Sequence, residues 1–344
     1  PPAVQQQSIR TLAQLMFVTE NFDGAIRYAN QYLTDVGPDA DMYVVLGTAY
    51  YQKNQYPKII PPVEKAISMT REAGGNTKES WWLLLRVAYW EQENYRKVRD
   101  ILETLVTYWP KKEYWIQLGG VYSELKDDVR QLAAYEAAHD QGLLTKSTEL
   151  VTLAQLFMQA EAPYKGAKVL EAGLADGSVE RTVRNLRLLA QAWQQAAEDK
   201  KAIPPLQQAA SMSSDGELFA RLAVSHLNLS QYKECIDASN KAFSRGGLKD
   251  KGAAHIVIGM CQFERKSLAS AKTSFQNASR YEKSRDNAVA WIGFVTSEQD
   301  RLRQLEESLA QVNRARQRRD NQPAQTLDGE QATADEPAAE VETT

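Results

Sequence analysis

The side chains best able to do chemistry are three histidines, His139, His226 and His255, and two cysteines, Cys235 and Cys261. Imidazole and thiolate hold zinc, take protons and attack electrophiles. A structural zinc site gathers four such ligands in short paired spacings. Here the five are scattered, and the histidines at 226 and 255 sit where an amphipathic core side chain fits as well. No Gly-x-Ser-x-Gly elbow, phosphate-binding glycine loop or His-Glu-x-x-His pair occurs. The carboxylate pair Asp127-Asp128 falls in a turn, where solvation explains it. The tryptophans at 81, 82, 109 and 115 could form a sugar or base platform, but their helical spacing suits a core. The sequence therefore predicts no catalytic residue, no metal site and no cofactor. Each cysteine occupies a small inward position of its helix, which predicts two buried free thiols. A disulfide is the alternative, and it would suit an oxidising compartment.

These residues sit on a skeleton that recurs. In Tyr43-Val-Val-Leu46-Gly47-Thr-Ala-Tyr50, followed by Tyr56 and Ala66, the apolar side chains return every three or four positions, so they line one helix face. The break Gln52-Lys-Asn-Gln55 separates it from a second amphipathic stretch. The same helix–turn–helix unit starts near residues 6, 40, 79, 112, 147, 183, 216 and 252. A period of about 34 residues is that of the tetratricopeptide repeat. The expected architecture is an all-α right-handed solenoid of eight helix pairs over residues 6–286, after a lead-in of residues 1–5. Two departures stand out. Arg86 takes the place that glycine usually holds, and Pro61-Pro62 and Pro204-Pro205 fall inside second helices. Proline is tolerated in a first turn and costs ~3 kcal/mol inside a helix, so those helices are expected to start late or to bend.

A solenoid leaves its last repeat open on one side. Residues 287–319 begin apolar, with Val289, Trp291, Ile292, Phe294 and Val295, and turn highly charged after Asp300. They are expected to form a capping helix in which Trp291, Ile292 and Phe294 cover repeat eight. From Asp320 to Thr344 there are seven acids, no base and no aromatic residue, a composition that predicts disorder. Removing those seven from the 44 acids leaves 37 against 41 bases in residues 1–319. So near-neutral a body has no general attraction for nucleic acid. No apolar run reaches the ~18 residues that span a bilayer.

Residues 6–280 thus resemble a tetratricopeptide-repeat array. Within that family, the stretch from Leu12-Ala-Gln-Leu-Met-Phe-Val-Thr-Glu-Asn-Phe-Asp-Gly-Ala25 to Tyr50-Tyr-Gln-Lys-Asn-Gln-Tyr56 is similar to periplasmic repeat proteins encoded beside TonB–ExbB–ExbD systems of proteobacteria. The resemblance implies a periplasmic accessory of TonB-dependent uptake, with its signal peptide removed before Pro1. A cytoplasmic location is the alternative.

In this architecture the first helix of each pair lines a concave surface. The groove-facing positions of repeats two to four give Val44, Thr48, Tyr51, Leu83, Leu84, Val87, Trp90 and Ile116, more apolar surface than stacking needs. Repeats six and seven give Arg184, Arg187, Gln191, Gln194, Gln195, Arg221 and Asn228, a polar and basic stretch. The Lys and Asn residues of the chaperone-tail carboxylate clamp are missing from these positions. The expected function is a non-enzymatic scaffold that binds a peptide or helix of a partner protein in the groove formed by Val44, Thr48, Tyr51, Leu83, Val87, Trp90 and Ile116. The alternative is a non-catalytic subunit or regulator of an envelope enzyme complex.

Overall fold

The computed structural model describes residues 2–321, with side chains from residue 4. Eight helical hairpins follow one another. They are α1 (Pro2–Val18) with α2 (Phe22–Asp35), α3 (Ala40–Gln52) with α4 (Tyr56–Glu72), and α5 (Glu79–Trp90) with α6 (Tyr95–Tyr108). Next come α7 (Lys112–Glu124) with α8 (Asp128–Asp140), α9 (Ser147–Gln159) with α10 (Pro163–Asp176), and α11 (Val183–Gln195) with α12 (Asp199–Ser211). The last two are α13 (Glu217–Asn228) with α14 (Tyr232–Arg245) and α15 (Lys251–Glu264) with α16 (Leu268–Ala278). A single turn of 3-10 helix then leads into α17 (Arg285–Asp320). Every helix packs on its neighbours in sequence, as a solenoid requires. The fold is an all-α array of tetratricopeptide-type hairpins.

Each hairpin turns through one residue in the left-handed region. These are Glu20, Asn54, Glu93, Lys126, Glu161, Ala197, Ser230 and Lys266, with φ between 54° and 61°. None is glycine, and their spacings are those of the repeat starts. Within a hairpin the two helices approach closely where a glycine removes the side chain. A Cβ on Gly119 would lie 2.6 Å from the Tyr135 ring, and one on Gly259 would lie 2.7 Å from Phe275. At the equivalent Arg86 the guanidinium instead turns toward the next repeat and donates to Gln117 Oε1 at 2.5 Å.

Four core clusters run along the array, spanning residues 9–46, 59–134, 138–261 and 256–295. Trp81, Trp82, Leu102, Leu153, Trp193 and Phe275 are among their largest buried side chains. The tryptophans at 81 and 82 are therefore core, as their spacing indicates. His226 is buried, its Nδ1 2.7 Å from Gln231 Oε1. Asp127 accepts from the Arg130 N–H as the N-cap of α8.

Several expectations are corrected. Cys235 on α14 and Cys261 on α15 form a disulfide, not two free thiols. Both point into the contact between the seventh and eighth hairpins, with Cα atoms 6.4 Å apart, within the range a bridge spans. The stretch expected as a lead-in belongs to α1, which starts at Pro2, a position where proline is tolerated. Helix α4 starts at Tyr56, ahead of Pro61-Pro62, and α12 starts at Asp199, ahead of Pro204-Pro205. The carbonyls that lose their i+4 donors belong to Pro57, Lys58, Lys200 and Lys201, all exposed residues, where water can serve. In α17, Ala288 and Val295 are buried and Trp291 stacks on Phe275 at 5.2 Å, but Phe294 stays exposed beside Phe263. Residues 322–344 of the acidic tail lie outside the described residues.

Candidate functional site

Helices α3, α5 and α7 hold the groove residues. On α3 the Thr48 hydroxyl donates back to the Val44 carbonyl at 2.8 Å, which leaves its methyl for the surface. Val44, Thr48, Leu83 and Val87 are half-buried. Val44 and Leu83 rest on the core cluster of residues 59–134. Ile116 on α7 leans instead on the following cluster, so it stands apart from the other groove residues. Between them Arg86 and Gln117 tie α5 to α7. Burial pulls the Arg86 guanidinium below the usual arginine range, and the nearby Tyr114 and Tyr51 oppose that shift. Its Nε is buried and has no protein partner.

Tyr51 and Trp90 are the most open members, 37% and 45% exposed. The sequence places them facing away from the second helices, but their rings meet the first residue of those helices. Tyr51 lies edge-on to Tyr56 at 6.5 Å and Trp90 edge-on to Tyr95 at 5.5 Å. The first hairpin repeats the arrangement with Phe17 and Phe22 at 5.7 Å. The rings therefore stand at the turn edge of the candidate groove, and the half-buried Val44, Leu83 and Val87 are its candidate floor. An aromatic, four residues and another aromatic is a spacing visible in the sequence, and it marks these three turns. Gly120 stands at the α7 position equivalent to Val87, and a Cβ there would meet nothing within 4 Å. At that point the candidate floor carries no side chain.

The polar stretch farther along is partly used by the array itself. Gln194 on α11 donates to the Arg221 carbonyl and to Ser225 Oγ on α13, at 3.2 and 2.9 Å. Asn228 donates to Asp199 at 2.8 Å. Arg184 stays exposed, and Arg187 and Gln191 are half-buried. A partner crossing from repeat three to repeat six would thus pass from apolar to basic surface.

On the opposite side, a cavity of about 430 Å³ opens between α4 and α6 over α5. Arg71 stacks over the Trp82 ring at 4.8 Å, and the Tyr89 hydroxyl donates to Glu64 at 2.6 Å. Burial first, and Glu64 second, push the Tyr89 phenol well above its ordinary value. No nucleophile and base converge there. No group of three His, Cys, Asp or Glu side chains able to hold a metal occurs among the described residues. No helix among them is long and apolar enough to cross a membrane.

No family model matches the chain, and no curated protein does. Solved structures similar to it include the Cut9–Hcn1 hetero-tetramer of the APC/C, at 16% identity and TM-score 0.38, over 83% of this chain and 55% of that one. The chain thus spans about half the length of that neighbour. A MamA protein is similar at 16% identity and TM-score 0.43, over 50% of this chain and 92% of its own. YrrB, described as a TPR protein with an unusual peptide-binding site, is similar at 15% identity and TM-score 0.45, over 55% and 95%. At such scores the likeness does not extend to function.

Proposed function

We propose that the chain is a non-enzymatic scaffold that holds a segment of a partner protein along the groove of α3, α5 and α7. The observation that carries this reading is the line Leu83, Val87 and Trp90 on α5, the first two half-buried and Trp90 45% exposed. Apolar surface of that kind marks binding sites, and a large aromatic that a partner covers near the centre of the contact is a frequent hot spot. The partner segment brings an apolar face to Leu83, Val87 and Trp90.

The buried Cys235–Cys261 bridge supports a working place in an oxidising compartment. Together with the resemblance of residues 12–56, it favours the periplasm and an accessory role beside a TonB–ExbB–ExbD complex. The test uses the soluble periplasmic domains of TonB and ExbD from the source organism, titrated against the protein by calorimetry. Saturable binding that Leu83→Asp abolishes, with the fold intact by circular dichroism, supports the reading. If both domains bind Leu83→Asp as well as the native chain, the groove is not their site. If neither binds the native chain, the TonB assignment falls.

A further inference from the structure

Helix α17 has 36 residues, far more than capping one repeat requires. Its first half is spent on α15 and α16 through Ala288, Trp291, Ile292, Val295 and Leu302. The remaining 18 residues, roughly 27 Å at the usual helical rise, run on past the last hairpin. The packing stripe does not stop with the solenoid. Leu302, Leu305, Leu309 and Val312 repeat at intervals of three, four and three, the a/d spacing of a coiled coil. Leu305, Leu309 and Val312 are 48%, 54% and 49% exposed, and nothing among the described residues covers them. The surrounding positions are charged or polar, so the stripe is a narrow seam, which suits one partner helix.

We propose that this seam seats the same seam of a second copy of the chain, in antiparallel orientation. Charge decides the direction. Glu298, Asp300, Glu306 and Glu307 lie in the first part of the stretch, and Arg314, Arg316, Arg318 and Arg319 in its last part. Glu298 and Asp300 pair with Arg301 and Arg303, at 2.8 and 2.9 Å, but none of the four later arginines has an ion pair among the described residues. An antiparallel pair lays each arginine cluster beside the acidic part of the other copy. Leu305 then meets Leu309 of the second copy in two central layers, and Leu302, already part-packed on the last hairpin, meets Val312 in an outer layer at each end, giving four apolar layers by symmetry. The next layer outward sets Glu298 opposite Arg316 of the second copy. A parallel pair would put Arg316 on Arg316 and bring two arginine clusters together. The antiparallel form has one like-charged contact, Glu306 on Glu306 at the exposed flank, where salt screens it.

The chain's own remaining residues are a poor alternative occupant. Residues 322–344 contain only Leu327 and Val341 as large apolar side chains, too few for four layers. Four layers make a weak, concentration-dependent dimer and not an obligate one. If the groove reading holds, its effect is to carry two grooves in one particle, which raises avidity for any partner that is itself repeated.

Sedimentation velocity of the full chain between about 1 and about 200 µM tests the proposal, since small interfaces of this kind dissociate in that range. The native chain is expected to shift from monomer to dimer. Leu305→Glu with Leu309→Glu places charges in the central layers and raises the dissociation constant by about 100-fold or more, with helicity and melting of the hairpins unchanged. Orientation is read by cysteine cross-linking. Leu305→Cys mixed with Leu309→Cys cross-links, and either variant alone does not. A native chain that stays monomeric throughout, a double-glutamate variant that still dimerises, or Leu305→Cys alone cross-linking to itself would each overturn the proposal. If the native chain is monomeric and removing residues 322–344 makes it dimerise, the tail is the occupant instead.

Discussion

Truncating Trp90 and truncating Trp82 should separate binding from folding. Both lie on α5, yet Trp82 is 8% exposed, and Trp90 is 45% exposed. Trp82 also donates from Nε1 to Thr77 Oγ1 at 2.9 Å and lies under the Arg71 guanidinium. A tryptophan buries about 200 Å² when fully enclosed, which at about 25 cal/mol per Å² is worth about 5 kcal/mol. Trp82 keeps nearly all of this, so Trp82→Ala should cost about 3–5 kcal/mol, the usual range for a buried aromatic. Trp90 keeps roughly half. Part of that half persists in a compact denatured chain, leaving about 1–2 kcal/mol, including the edge-on contact with Tyr95. At roughly 2–4 °C per kcal/mol for a domain of this size, Trp82→Ala should lower the melting temperature by about 10 °C and Trp90→Ala by about 4 °C. In the calorimetric titration with the TonB and ExbD domains, Trp90→Ala should weaken binding at least ~10-fold, as hot-spot truncations do. Equal losses of stability in the two variants would refute the distinction between floor and margin on which the groove rests. Full-strength binding by Trp90→Ala would remove Trp90 from the site.

Three further outcomes follow from particular contacts. Ala197→Gly, Glu93→Gly and Lys126→Gly relieve a left-handed residue at a hairpin turn and should each stabilise by about 0.5–1 kcal/mol in thermal melts. A loss of stability in all three would mean that these side chains make contacts that outweigh the backbone strain. Denaturing alkylation without reductant should label neither cysteine, and reduction should cost about 3 kcal/mol for a bridge across a sequence separation of 26. Two labelled thiols in protein exported to the periplasm would sink both the bridge and its support for that compartment. His255 stacks between Phe243 and Tyr281, and burial, with Arg280 nearby, holds its imidazolium below the usual histidine range. The unfolded chain then binds the proton more readily, so this contribution is complete above about pH 6.5 and lost as pH falls through the lower folded value. His255→Phe should flatten that part of the pH–stability curve, and an unchanged curve would refute the assignment.

The hairpins were legible in the sequence because their signal is periodic and local. Tyr43, Leu46, Gly47 and Tyr50 mark a first helix by spacing alone, and the same marks return seven more times. Val44, Leu83 and Val87 are what remains of each helix once the packing positions are assigned, and all three are half-buried. Contacts between repeats were harder to read. The Cys235–Cys261 bridge depends on how α14 and α15 face each other, which no spacing of 26 residues specifies. Arg86 broke the glycine rule, and nothing local announced that Gln117 would receive it. Pro61-Pro62 did not delay the start of α4, because the carbonyls left without donors belong to exposed residues that water can serve. Tyr51 and Trp90 were placed on the correct helices, but the ring five residues onward that each leans on is a property of the turn.

The junction between the fourth and fifth hairpins has a mechanical consequence. Helix α8 buries only Ala134 and Ala138, and the core passes there from one cluster to the next. Across it run Lys112 to Glu149 at 3.2 Å and Lys165 to Glu136 at 2.9 Å, polar ties that resist separation but weaken with salt. Leu132 and Tyr135 add only partly buried side chains to this contact, so the packing is thinner than on either side and resistance to bending is expected to be lowest there. The array is thus two stiff rods joined by a compliant section. The apolar floor lies on one rod and the arginines of α11 on the other. Bending at α8 would change the distance between them, so a bound segment that reaches both would pull on that junction.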